Sequence, residues 1–169
     1  MHFLRSKQLL LQNSERIRSL LQGVPAEQAQ WKHDPDSWSI LEVINHLLDE
    51  EREDFRVRLD IILHEPDRKM HSIDPEGWVV DRKYNDRNLE ESLEEFLSER
   101  QASLEWLETL GEHEWEATYK MLFGSIRAGD MFASWVAHDL LHMRQLVELH
   151  RAYMLKLVAP FEVTYAGPW

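Results

Sequence analysis

His138 and His142 stand four residues apart in the run Trp135-Val136-Ala137-His138-Asp139-Leu140-Leu141-His142-Met143-Arg144-Gln145. On a helix that spacing is one turn, with a rotation of about 40°, so both imidazoles can address a single cation. Met131, Trp135, His138, His142 and Leu149 share one helical face, which places the pair at core positions. A buried neutral imidazole needs partners for its ring nitrogens. A backbone carbonyl or a carboxylate is the usual partner for a lone core histidine. A metal ion is the partner that uses two at once.

A third ligand has to come from another inward-facing element, and the chain has nine histidines. His46 lies on an apolar stripe with Val43 and Leu47. His2, His33, His71 and His113 fall at ends or in loops, His64 lies at the end of a helix, and His150 is rotated off the His138 face. His46 is therefore the expected third ligand. Three histidines with one position left open is the arrangement of catalytic rather than structural zinc. Two other metal readings fit less well. His138-Asp139-Leu140-Leu141-His142 has the spacing of the zinc-protease motif, but with aspartate one methylene short of the general base. Di-iron bundles need Glu-x-x-His twice, and no histidine here has glutamate three positions before it.

The neighbours of these residues supply candidate support. Glu50 and Glu51, one turn past His46, could bond a ligand imidazole or complete the metal shell. Gln145, just under one turn past His142, could do the former. Asp139 is rotated about 100° from His138 and is expected to face a neighbouring helix or solvent. Trp38, Trp78 and Trp115 lie in or beside loops, where they could line a pocket; plain end-capping of the core is the simpler expectation for them.

The elements that must position these groups are helical. The first helix runs from about Phe3 to Gln22 on the stripe Phe3, Leu10, Ile17, Leu20 and Leu21, and is stopped by Gly23 and Pro25. The second opens on a capping box, Ser39-Ile40-Leu41-Glu42, and runs to before Pro66. The third opens at Asn88 and is followed by Gly111. The fourth starts near Asp130 and reaches about Leu157, before Pro160. With no convincing alternating segment, the expected fold is all-α, a four-helix bundle forming a single domain over residues 1–169. Helices one and two should be antiparallel. The long stretch Glu65–Arg87 should be a crossover between helices two and three, because bundle loops usually take about 2–8 residues. The aromatic tail Pro160–Trp169 should pack back on the body.

Composition narrows the chemistry. Nineteen Lys and Arg against 31 Asp and Glu leave a net charge of −12 over 169 residues. That excess argues against nucleic acid and anionic membranes as partners; a small-molecule substrate is the partner expected of the metal site. Cysteine is absent, which removes disulfides, thiolate nucleophiles and sulfur-ligated zinc. No apolar run is long enough for a membrane span and no signal peptide is evident, so the cytoplasm is the expected location.

Ser37-Trp38-Ser39-Ile40-Leu41-Glu42-Val43-Ile44-Asn45-His46-Leu47, followed downstream by His138-Asp139-Leu140-Leu141-His142-Met143-Arg144-Gln145-Leu146, resembles the DinB superfamily over nearly the whole chain. Asp74-Pro75-Glu76-Gly77-Trp78, Arg100 and Phe123-Gly124-Ser125 are similar to that family too. The resemblance implies a four-helix bundle holding a divalent ion, zinc or nickel, on His46, His138 and His142. It implies either hydrolase chemistry or transfer to a low-molecular-weight thiol such as mycothiol, bacillithiol or glutathione, and a homodimer. The alternative is a non-catalytic protein in which the three histidines are vestigial or staple the bundle.

Overall fold

The computed structural model describes residues 3–110, 115–122 and 124–169; His2, Gly111, His113 and Phe123 lie outside them. Helix α1 (Phe3–Leu21) ends at Gly23, whose φ of +78° is the left-handed conformation glycine adopts without strain. A short α2 (Ala26–Gln30) leads to α3 (Ile40–Glu50). The Ser39 hydroxyl accepts the Glu42 N–H at 3.1 Å and the Glu42 carboxylate accepts the Ser39 N–H at 2.8 Å, the reciprocal cap expected from the sequence. A π-helical turn, Glu51–Phe55, joins α3 to α4 (Arg56–His64). Together these form the second long helix. Helix α5 (Pro75–Asp81) sits in the crossover, and α6 (Leu89–Thr109) is capped by Asn88. Strands β1 (Thr118–Met121) and β2 (Gly124–Arg127) form an antiparallel hairpin before α7 (Ala128–Val158).

The hairpin corrects the expectation of no strands. Each strand is four residues long and largely exposed, with only Tyr119 and Ile126 half-buried, so it offers almost no alternating pattern.

Packing pairs α1 with α6 and α7, and the α3–α4 helix with the same two. The first and second long helices are therefore diagonal to each other. Cross-contacts give the directions. Asn13 meets Asp139 and Leu20 meets His150, so α1 and α7 run parallel. Asn45 meets Ser92 and Arg56 meets Ser103, so the second helix and α6 are also parallel neighbours. His46 meets His138 while Phe55 stacks on Trp135, so the second helix and α7 are antiparallel. Parallel neighbours cannot be joined by a tight turn; the chain must return the length of the bundle, and residues 65–88 do so. No helix among the described residues is long and apolar enough to cross a membrane.

Two apolar clusters fill the interior. One gathers Ile17, Leu21, Ile40, Leu41, Ile44, Leu48, Phe96 and Leu146; the other gathers Leu10, Leu59, Ile62, Leu107, Phe132 and Trp135. Between them lies a layer of buried polar groups, in which Arg100, Glu51, Asp139, Asn13, His46 and His142 are each at most 6 % exposed. At the C-terminus, Trp169 packs under Arg151 at 4.8 Å, whereas Phe161 and Tyr165 are exposed. Within the tail Val163 is half-buried, and Trp169, though largely exposed, meets Arg151.

Candidate metal centre

Helices α3 and α7 bring three imidazoles to one point. His138 Nε2 lies 3.3 Å from His46 Nε2 and 3.1 Å from His142 Nε2, and one ring nitrogen from each residue lies within 4.8 Å of the others. Zinc–nitrogen bonds of about 2.0–2.1 Å at tetrahedral angles separate nitrogens by about 3.3–3.4 Å, so the spacing suits one small divalent ion. Hydrogen bonding alone fits the cluster poorly. His142 Nδ1 bonds Gln145 Oε1 at 2.8 Å, an amide oxygen that only accepts, so the proton is on Nδ1 and Nε2 carries a lone pair. His138 Nε2 can donate only one proton between its two nitrogen neighbours. The donor set is neutral, nitrogen-only and convergent, and it fits a divalent transition-metal ion.

Burial keeps these rings neutral. It lowers the His46 pKa to about 3, assisted by the nearby His142, and the His138 pKa to about 2, assisted by His142, His46 and Arg100. Burial also lowers the His142 pKa. Unfolded histidines titrate near 6.5, so between about pH 3 and 6.5 the unfolded chain binds protons that the folded chain refuses. Stability of the metal-free protein should fall as pH drops through that window, by up to about 1.4 kcal/mol per pH unit per histidine. Urea midpoints at pH 7 and pH 5 will check this: His138→Gln should flatten the dependence, and an equal slope in wild type and variant would contradict it.

Beside the cluster, all five N–H donors of Arg100 are used. They bond Glu51 Oε1 and Oε2 at 2.9 Å, Asp139 Oδ1 and Oδ2 at 2.8 Å, and the Leu10 carbonyl at 3.0 Å. Trp135 Nε1 donates to Glu51 and Asn13 Nδ2 to Asp139. Glu51 is therefore committed to the core and not to the histidines, which corrects one expectation. Asp139 does face a neighbouring helix. One guanidinium faces two carboxylates in this layer; Arg100 disfavours positive charge at His138, whereas Asp139 favours it at His142. Glu50 behaves differently from Glu51. It is buried, one turn past His46, and burial followed by the proximity of Asp54 pushes its pKa up to about 8.

A cleft of about 450 Å³ is lined by His142 and Gln145 together with Trp38, Leu149, His33, Asp36 and Glu148. Trp38 packs 4.9 Å from the His46 ring and lies parallel to the His142 ring at 6.3 Å. Of Trp38, Trp78 and Trp115, only Trp38 is here. Trp78 stacks under Arg82, which is tied to Asp49 and Glu53, and Trp115 packs between Phe3 and Phe132. Both serve the body of the bundle, not the cleft. His33 and Glu148 are cleft residues that the sequence reading does not single out. Glu148 follows Gln145 on α7 by just under one turn, as Gln145 follows His142, so helical spacing could have found it. His33, in the α2–α3 link, gives no such signal.

The sequence profile of the DinB superfamily matches residues 9–146. A structural comparison finds YfiT from Bacillus subtilis, described as a probable metal-dependent hydrolase with an unusual four-helix bundle topology. It is 16% identical, with a TM-score of 0.78 over 88% of this chain and 86% of that one. No curated protein matches.

Proposed function

Because the chain belongs to the DinB superfamily, we propose that it is a divalent-metal-dependent enzyme of the hydrolase type, acting on a small molecule bound in the cleft at His142. His46, His138 and His142 are the proposed ligands, with zinc or nickel as the ion. The carrying observation is that one of the three convergent histidines, His142, lines a cleft, and that His138 is only half-buried. A structural ion would have a closed shell. The description of YfiT as a probable metal-dependent hydrolase supports the reaction type.

A divalent ion held there supplies Lewis acidity, which makes water or a thiol nucleophilic near neutral pH. The remaining work falls to the protein's own side chains. Gln145 holds His142 in the tautomer that presents Nε2. Trp38 and Leu149 give the cleft apolar walls. Besides His142, the ionisable side chains lining the cleft are His33, Asp36 and Glu148. Any thiol used would come from outside, since the chain has no cysteine.

Zinc- or nickel-loaded protein should turn over members of a panel of small esters, amides and lactones, and chelation or His142→Ala should abolish the turnover. Turnover that requires added low-molecular-weight thiol would replace hydrolysis by thiol transfer. Absence of turnover, with a cobalt-form spectrum that no small anion or thiol perturbs, would reduce the site to a structural staple.

A further inference from the structure

Among the described residues, the buried side-chain polar atoms that find no hydrogen-bond partner are His46 Nδ1, Glu50 Oε1, Asp54 Oδ1 and Arg58 Nε. They belong to residues spaced by four along a single helix. Helical side chains lean toward the N-terminus, so each of these leans over the one before it. Arg58 Nε and Asp54 Oδ1 face one another as an ion pair, and Asp54 interacts carboxyl to carboxyl with Glu50. Two atoms are left: the ring nitrogen of His46 and one oxygen of Glu50. The rings around His46 offer Nδ1–H no acceptor, because Trp38 is a donor only and His138 lies at Nε2. Successive helical residues are rotated by about 100°, so Glu51 enters the core toward Arg100 while Glu50, one turn past His46, stays on the His46 side.

We propose that Glu50 is a positioning residue for His46: its Oε1 accepts the His46 Nδ1–H, directly or through one bridging water, while its other oxygen pairs with Asp54. The run His46–Glu50–Asp54–Arg58 is then a continuous relay of donors and acceptors in which every buried atom is satisfied. Its effect is to hold His46 in the tautomer whose Nε2 lone pair faces His138. The carboxyl-to-carboxyl pairing takes one proton shared between Glu50 and Asp54, and Glu50 Oε1 remains able to accept. The consequence for metal affinity rests on the metal reading above, whereas the tautomer does not.

The tautomer is read on metal-free, untagged, 15N-labelled protein by long-range 1H–15N correlation of the imidazoles. Wild type should show His46 protonated at Nδ1. Glu50→Leu should show a mixture of tautomers and a zinc affinity lower by roughly 10–100-fold in competition with a chelator, and Glu50→Gln, which keeps an acceptor oxygen, should stay near wild type in both. Outer-sphere loss of this kind would appear without a fall in melting temperature of the metal-free protein. His46 protonated at Nε2 in wild type would overturn the inference even if Glu50→Leu failed to fold. Unchanged tautomer and zinc affinity in a folded Glu50→Leu would do the same. Should wild type bind no zinc, the metal reading fails by itself and the tautomer comparison still decides the role of Glu50.

Discussion

Arg100→Met should be the most damaging single substitution in the bundle, costing about 3–5 kcal/mol, the range for breaking a buried ion pair from one side. For a chain of this size that is a fall in Tm of roughly 6–20 °C. The cause is not the lost attraction alone. Glu51 and Asp139, 1 % exposed each, would remain buried with their charges facing no cation. Replacing Arg100 with Met, Glu51 with Met and Asp139 with Leu together should recover part of the loss, because no uncompensated charge is then left inside, although Trp135 Nε1 and Asn13 Nδ2 lose their acceptors. Differential scanning calorimetry of the two variants checks both halves. A single-variant cost below about 1 kcal/mol would mean that the polar layer is solvated, contrary to the geometry described.

His138→Ala is the substitution with the largest expected effect on the site. Its Nε2 is the atom within 3.3 Å of both other imidazoles, so its loss divides the donor set. Zinc at a hundred times its dissociation constant should stabilise the wild type by about 2.7 kcal/mol. That is roughly 5–11 °C in Tm. The variant should show no shift at the same zinc concentration. His64→Ala, at a ring on the surface beside Asp60, should respond to zinc as wild type does. A zinc-dependent shift of equal size in His138→Ala would move the binding site elsewhere.

Much of this arrangement is legible from local chemistry. Ser39 and Glu42 form a cap because both halves of it lie within four residues, and His138 and His142 meet because one helical turn separates them. His46 is reachable from its place on an apolar stripe. What stays hidden depends on partners far along the chain. Arg100 reads as an ordinary charge on an amphipathic helix until Glu51 and Asp139, 49 and 39 residues away, are placed around it. The same holds for Glu50 and Glu51. Adjacent and identical, they point about 100° apart on the helix, and which of them meets a cation is decided by Arg100 on α6. The diagonal placement of the first two long helices is likewise a matter of which faces pair, and four amphipathic stripes allow more than one solution.

Zinc K-edge X-ray absorption, on untagged protein loaded with one equivalent of zinc, reports on the three-histidine centre itself. Three imidazole nitrogens at about 2.0–2.1 Å are expected, completed by exchangeable light-atom ligands, with loss of one imidazole in His46→Ala. A shell dominated by carboxylate oxygen, or a spectrum unchanged by His46→Ala, would contradict a metal centre built on His46, His138 and His142.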